Sequence, residues 1–263
     1  MSRLKINGVS KVFDGRKDAI HVLEDINLEI DDGEFLCIVG PSGCGKTTLL
    51  NIIAGLEHSS RGSVYYKGSP VREPGPQRLV IFQDLALFPW LSVLQNVEFG
   101  LKLKGVPSRQ REEIALEYLD MVNLLRFKDA YIHELSGGMK QRVALARAFA
   151  IDPEILLMDE PFTALDAQTR DMLHVELQKI WSKTKKTIIF VTHNVREAVC
   201  LGDRVIVFSS QPARIKASFP VKLDRPRHIE DPGLMDIARL VLKELRFEIA
   251  KVLEKELDAK KTG

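Results

Sequence analysis

Apolar positions recur along this chain in two periods, and the change from one to the other outlines the fold. In "INLEI", Ile26, Leu28 and Ile30 alternate with polar neighbours, the two-residue period of a strand buried on one face. "FLCIV" at Phe35–Val39 is apolar without interruption, as a central strand covered on both faces requires. "SVYYKG" at Ser63–Gly68 reads as a half-buried strand closed by its glycine, and "LVIF" at Leu79–Phe82 as a buried one. From Asp84 to Ala150 the period lengthens to that of helices. "PSRQREEIALEYLDMVNLL" carries Ile114, Leu116, Leu119, Val122 and Leu125 near helical spacing, with Ser108 as its expected N-cap. Strands return in "EILLMDE" from Glu154, "TIIFVTH" from Thr187 and "RVIVF" from Arg204, with a helix "AQTRDMLHVELQKIWSK" between the first two.

This order predicts an α/β core with a mostly parallel sheet, interrupted by a helical insertion. Residues 1–83 and 151–230 are assigned to the core, 84–150 to the insertion and 231–263 to a C-terminal helix. That helix has an apolar face of Leu234, Ile237, Val241, Leu245, Ile249 and Val252, and is expected to fray at "KKTG".

Composition narrows the function little. The 263 residues are 45% hydrophobic and 28% charged with a net charge of +2, which gives no reason to expect nucleic acid as a partner. Cys37, Cys44 and Cys200 follow no disulfide or metal spacing, and a reducing compartment is expected. No secretory leader is visible in "MSRLKINGVSKVF", and no apolar run approaches the ~18 residues that span a bilayer. Any membrane role is therefore expected to run through a partner.

The candidate chemistry is more specific. "GPSGCGKTT" at Gly40–Thr48 fits the phosphate-loop pattern G-x-x-x-x-G-K-[ST], between the buried run "FLCIV" and a helical "LLNIIAGL". Gly40, Gly43 and Gly45 let the backbone curl, so that its N–H groups, with those of Pro41's successors Ser42 and Cys44, point inward. Lys46 would bridge terminal phosphates and Thr47, followed by Thr48, would ligate Mg²⁺. A glycine turn capping a helix has the same composition, but the strand before and the helix after favour the cradle.

Asp159 ends "ILLMDE", where ligands of parallel sheets gather, and should lie beside Thr47 to hold Mg²⁺ through its waters. Glu160 would orient and deprotonate the attacking water. Both could instead cap the next helix. His193 and Gln83 end two further strands and would point at the same region, Gln83 toward the metal or the water. A second anion-ready feature is "LSGGMKQRVALARA" from Leu135, where Ser136, Gly137 and Gly138 open a helix bearing Met139, Val143, Ala146 and Ala150 on one side.

In this order, "GPSGCGKTT", Gln83, "LSGGM", "ILLMDE", "ALD" at Ala164–Asp166 and His193 resemble the ATP-binding subunit of ABC transporters over nearly the whole chain. The resemblance implies a P-loop NTPase core with an N-terminal antiparallel β subdomain and an inserted helical subdomain. It implies ATP and Mg²⁺ as ligands and ATP hydrolysis as the activity, with Lys46, Glu160, His193 and Gln83 catalytic and Thr47, Gln83 and Asp159 at the metal.

It also implies an ATP-dependent homodimer packed head to tail. Ser136, Gly137 and Gly138 then face the γ-phosphate held by the second copy, which would explain two anion-ready glycine sites in one chain. Asp166 would cross that interface, and Phe13 would stack on adenine, although Phe13 alone equally fits a core position. Two positions depart from the family: Met139, where many members have Gln, and Asn194, where Asp is frequent.

By the same resemblance, Gln83–Leu101, with Leu87, Phe88, Trp90 and Leu91, faces integral membrane permease subunits, and internal packing is the competing account of those side chains. The protein would sit on the cytoplasmic face of the cell membrane and meet a solute-binding protein only indirectly. "EPGPQRLVIFQD", "LSGGMKQR" and "LDRPR" resemble the nitrate/sulfonate/taurine importer branch. An exporter subunit, a DNA-repair or ribosome-associated ATPase and a regulatory ATP-binding module without turnover are the alternatives.

Overall fold

The computed structural model describes residues 2–15 and 19–261, with side chains over 4–15 and 19–252. Strands β1 (Ser2–Phe13) and β2 (Ile20–Asp31) pair antiparallel; β3 (Phe35–Val39) crosses to a second sheet; β4 (Arg61–Tyr66) and β5 (Ser69–Pro70) return to the first. That sheet has the order β2-β1-β4-β5. The second is built from β3, β6 (Arg78–Ile81), β7 (Ile155–Asp159), β8 (Thr187–Val191), β9 (Arg204–Phe208) and β10 (Ile215–Pro220), in the order β10-β9-β3-β8-β7-β6. It is parallel except for β10.

The uninterrupted apolar runs follow from burial on two sides. Phe35, Cys37 and Val39 of β3 enter one core and Leu36 and Ile38 the other; β7, β8 and β9 divide their side chains between the same two cores. Helix α1 (Lys46–Ala54) and the antiparallel sheet cover one face. The other face meets α2 (Val93–Leu103), α3 (Ser108–Met121), α4 (Gly137–Ala150), α5 (Ala167–Thr184), α6 (Val195–Leu201) and α7 (Pro232–Lys261), all contributing to one core.

Several local expectations are corrected. "LVIF" forms the edge strand β6, so Leu79 and Val80 are only half-buried and Phe82 lies exposed beyond its end. Strands β6 and β8 stop two residues before Gln83 and His193, which sit on the following loops rather than on strand ends. Residues 84–92 are not helical: the buried Asn96 accepts from Phe88 N and donates to the carbonyls of Phe88, Leu91 and Ser92, stitching a loop ahead of α2.

Pro107, not Ser108, is the N-cap of α3, because proline suits the start of a helix whose first turn has N–H groups unpaired in any case. That helix ends at Met121, since Asn123 takes φ 57°, and Leu125 falls outside it and is exposed. On α7 the buried stripe is Leu234, Ala238, Val241, Leu245 and Glu248, spaced four, three, four and three residues. Ile249 is therefore exposed, one step off a stripe that continues through a carboxylate held by Lys216 and Ser210. Helix α7 runs to Lys261, and the last two residues of "KKTG" lie outside the described residues.

The "LDRPR" segment fastens α7's approach to the core. Arg227, only 2% exposed, donates to the carbonyls of Val199, Gly202, Val221 and Leu223, so a guanidinium closes the C-terminal end of α6. Burial pulls its pKa down to about 10.

Candidate functional site

The site begins where β3 runs out. The turn from Gly40 to Gly45 needs glycine for two separate reasons. Gly43 has φ 72° and Gly45 φ 115°, left-handed backbone that other residues rarely adopt. A Cβ on Gly45 would also stand 2.8 Å from Val22 Cγ1 on β2. The turn thus presses against the antiparallel sheet, with Pro41 and Cys44 buried and Ser42 and Gly43 facing out. No side chain caps α1, leaving its first amides free for an anion. Lys46 is buried, and its ammonium donates to the carbonyls of Gly40 and Pro41, both at 2.9 Å. The lysine thereby holds the loop in shape from within.

Strand order brings the acidic residues alongside. Asp159, at the end of β7, is mostly buried, near the Thr47 hydroxyl. Burial raises its pKa; the nearby Thr47 hydroxyl and the Lys46 charge pull the other way, and the net shift is upward. Its Oδ1 is buried without a partner among the described residues. A carboxylate oxygen left open beside a hydroxyl fits a hydrated Mg²⁺. Among the described residues no three His, Cys, Asp or Glu side chains cluster to hold a metal by themselves, so such an ion would depend on phosphate oxygens and water for its other ligands.

Glu160 follows in a left-handed conformation, φ 47°, its N–H donating to Val191 O at 2.9 Å. That backbone turn aims its carboxylate across to the loop after β8. There Glu160 Oε2 accepts from His193 Nδ1 at 2.9 Å and from Thr163 Oγ1 at 3.3 Å. A carboxylate already oriented by an imidazole can take a proton from a water, and His193 keeps its Nε2 unengaged.

The remaining candidates do not converge within one chain. Gln83 is exposed and makes no hydrogen bond among the described residues. Ser136 caps α4, its hydroxyl accepting from Met139 N at 3.3 Å, while Met139 itself is half-buried against the core. A Cβ on Gly138 would meet Thr169 Cγ2 at 2.4 Å, so the start of α4 touches the start of α5. Asp166 is the N-cap of α5, accepting from Thr169 N at 2.9 Å. Phe13 ends β1, half-buried, with the Lys11 ammonium 4.5 Å from its ring centre. Asn194 caps α6 through Arg196 N and Glu197 N, a task asparagine performs as well as aspartate.

Local pattern did not disclose what holds the loop after Gln83. Arg147 on α4 donates to Leu85 O at 2.6 Å and Ala86 O at 2.7 Å and lies 5.6 Å from the Phe88 ring centre. The only signal in the sequence was an arginine beside the apolar side of that helix, next to Ala146.

Three comparisons bear on this arrangement. The family model described as "ABC transporter" matches residues 23–163. The chain is 51% identical over 252 residues to the ABC transporter ATP-binding protein MJ0412 of Methanocaldococcus jannaschii, covering 96% of this chain and 94% of that one. It is 48% identical over 220 residues to the nitrate import ATP-binding protein NrtD of Synechocystis sp., covering 84% and 83%. Among solved structures, the dimeric post-hydrolysis state of the ATP-binding cassette MJ0796 bound to ADP and Pi superposes with a TM-score of 0.74 at 34% identity, over 84% of this chain and 100% of that one.

Proposed function

The chain belongs to the ABC transporter family as an ATP-hydrolysing import subunit, and on that premise we propose how its own residues divide the work. The turn from Gly40 to Thr48 cradles the phosphates, Lys46 trading its two loop carbonyls for phosphate oxygens. Thr47 and Asp159 would hold a hydrated Mg²⁺, and Gln83 would serve as a further ligand to it or to the water. When bound, that ion neutralises charge on the transferring phosphoryl group. Glu160 takes the proton as water oxygen bonds to the γ-phosphorus and the bond to the bridging oxygen of ADP breaks. His193 steadies Glu160 through Nδ1 and offers Nε2 to the γ-phosphate.

A second copy completes each pocket. Ser136, Gly137 and Gly138 present unengaged amides at the start of α4 to the partner's nucleotide, and Asp166 lies at the seam between the copies. Phe13 stacks on adenine. The permease docks beside residues 83–101, where a groove of about 540 Å³ is lined by Leu56, Phe82, Leu103 and Ile151, the first three exposed. Residues 84–150 form the inserted helical subdomain that carries Ser136, Gly137 and Gly138. No helix among the described residues is long and apolar enough to cross a membrane; the chain attaches peripherally at the cytoplasmic face through that permease, a reading supported by the importer relative. The solute is a small anion of the nitrate, sulfonate or taurine kind, a reading supported by the nitrate importer relative.

The observation that carries the reading is the pairing of Glu160 with His193 beside an Asp159 oxygen that has no partner among the described residues. Glu160→Gln should bind ATP, cease turnover and accumulate a nucleotide-bound dimer on size exclusion. Hydrolysis at the parental rate would remove Glu160 as the base.

A further inference from the structure

His193 is exposed over about half of its side chain, 53%, and its one hydrogen bond among the described residues is to Glu160. Something other than its own packing must therefore fix where the ring points. The residues on either side of it are tied down. Thr192 is buried, and its hydroxyl accepts from Asn194 N at 3.0 Å while donating to Glu197 Oε2. Glu197, 4% exposed on α6, turns its other oxygen, Oε1, to His174 Nε2 at 2.8 Å. His174, on α5, is 2% exposed and backed by the Phe162 ring at 5.6 Å.

A buried carboxylate whose partners are a hydroxyl and an imidazole is an expensive way to stabilise a fold. Capping does not explain it, since Asn194 already caps α6. The arrangement does achieve one thing: it bolts residues 192–194 to two helices, one of which begins at Asp166.

We propose that Glu197 and His174 are positioning residues for hydrolysis, holding the 192–194 backbone so that His193 meets Glu160. This deepens the site reading given above and rests on it. Because they act through His193, their effect belongs in the chemical step and not in nucleotide affinity.

The test is steady-state ATPase of the full chain. Glu197→Ala should lower kcat about tenfold or more, with KM for ATP held within about twofold. Glu197→Gln, which keeps an oxygen for Thr192 and an amide for His174, should recover most of the rate. In a His193→Ala background, Glu197→Ala should lower kcat no further. Multiplying losses, an unchanged kcat in Glu197→Ala, or a rise in KM without a fall in kcat would each overturn the proposal. If Glu197→Ala does not fold, Thr192→Val cuts the same tie isosterically and is read against the same outcomes. His193→Ala at the parental rate would instead sink the underlying site reading, so the two failures are distinguishable.

Discussion

Two cations, Lys46 buried and Arg147 half-buried, hold two loops in this molecule by the same device, and they suit opposite tasks. Lys46 reaches two carbonyls of the phosphate loop; Arg147 reaches two carbonyls of the loop that follows Gln83. An ammonium is a compact charge on a flexible stem with donors that rotate, so Lys46 can release carbonyls and take phosphate oxygens. A guanidinium is a rigid fork. Arg147 has its plane near Phe88 and its donors on Leu85 and Ala86, the latter in a left-handed conformation at φ 46°. The cradle is held in a shape its ligand can take over; the other loop is held in a shape meant to persist. Trp90, on its outer edge, stays open.

The strongest way to break the comparison is Lys46→Ala. Removing a donor aimed at transferring phosphate should lower turnover by about a hundredfold or more, checked by ATPase assay and nucleotide binding. Unaltered kinetics would mean the loop needs no exchangeable charge. A buried charge that itself titrates makes a useful contrast. Burial alone would raise Glu248, but hydrogen bonds from Lys216, Ser210 and Lys251 bring its pKa from 4.5 down to about 2. A carboxylate lowered on folding stabilises the fold fully above its unfolded pKa and loses that effect as pH falls toward its folded pKa. Glu248→Gln should therefore lose about 3 kcal/mol near pH 6, a difference that shrinks as pH falls from 4.5 toward 2. Urea unfolding across that range measures it, and a difference independent of pH would refute the assignment.

Arg147 should behave otherwise, because carbonyls do not titrate. Arg147→Met leaves two loop carbonyls without their donors and should cost about 2 kcal/mol, equally at pH 5 and pH 7. Arg147→Lys should recover less than half of that, since an ammonium cannot reproduce the fork. Limited proteolysis should then cut within residues 85–91. Full rescue by lysine would show that the two cations are the same device after all.

How much of this could be read beforehand depended on the range of the interaction. The doubly buried β3 was legible because a two-sided environment leaves no polar position in five residues. The nearness of Thr47 and Asp159 was legible because strand ends in a parallel sheet share one edge. Strand limits were not: β8 stops at Val191 through its pairing with β3, and nothing in "TIIFVTH" marks that end. Ile249 and Leu125 looked like face residues because apolar character was scored without the exact helical phase, which Glu248 and Asn123 decide. The ties of Arg147 to Leu85 and of Glu197 to His174 span 62 and 23 residues, and no local pattern records them. The partners proposed for Gln83 and Ser136 belong to another copy or to ligand, so one chain shows Gln83 without a hydrogen bond among the described residues and Ser136 only as the cap of α4.

The smallest effect on the isolated chain is expected at Trp90, and it sharpens the comparison most. Trp90 is 71% exposed, and its ring centre lies 5.7 Å from that of Phe88. Phe88 is half-buried, 4.4 Å from Phe99 and against Arg147. The two aromatics are two residues apart yet serve different surroundings. Phe88→Ala removes packing that the loop needs and should destabilise by about 1–3 kcal/mol. Trp90→Ala removes area that only a partner could cover, so its effect on stability should stay within about 0.5 kcal/mol. Soluble ATPase should be unchanged, while recovery with the membrane subunits from detergent extracts should fall about tenfold or more, as for an aromatic anchor at an interface. Equal destabilisation by both variants would mean that the loop's outer edge is fastened inward as firmly as its root, leaving no surface free for a partner there.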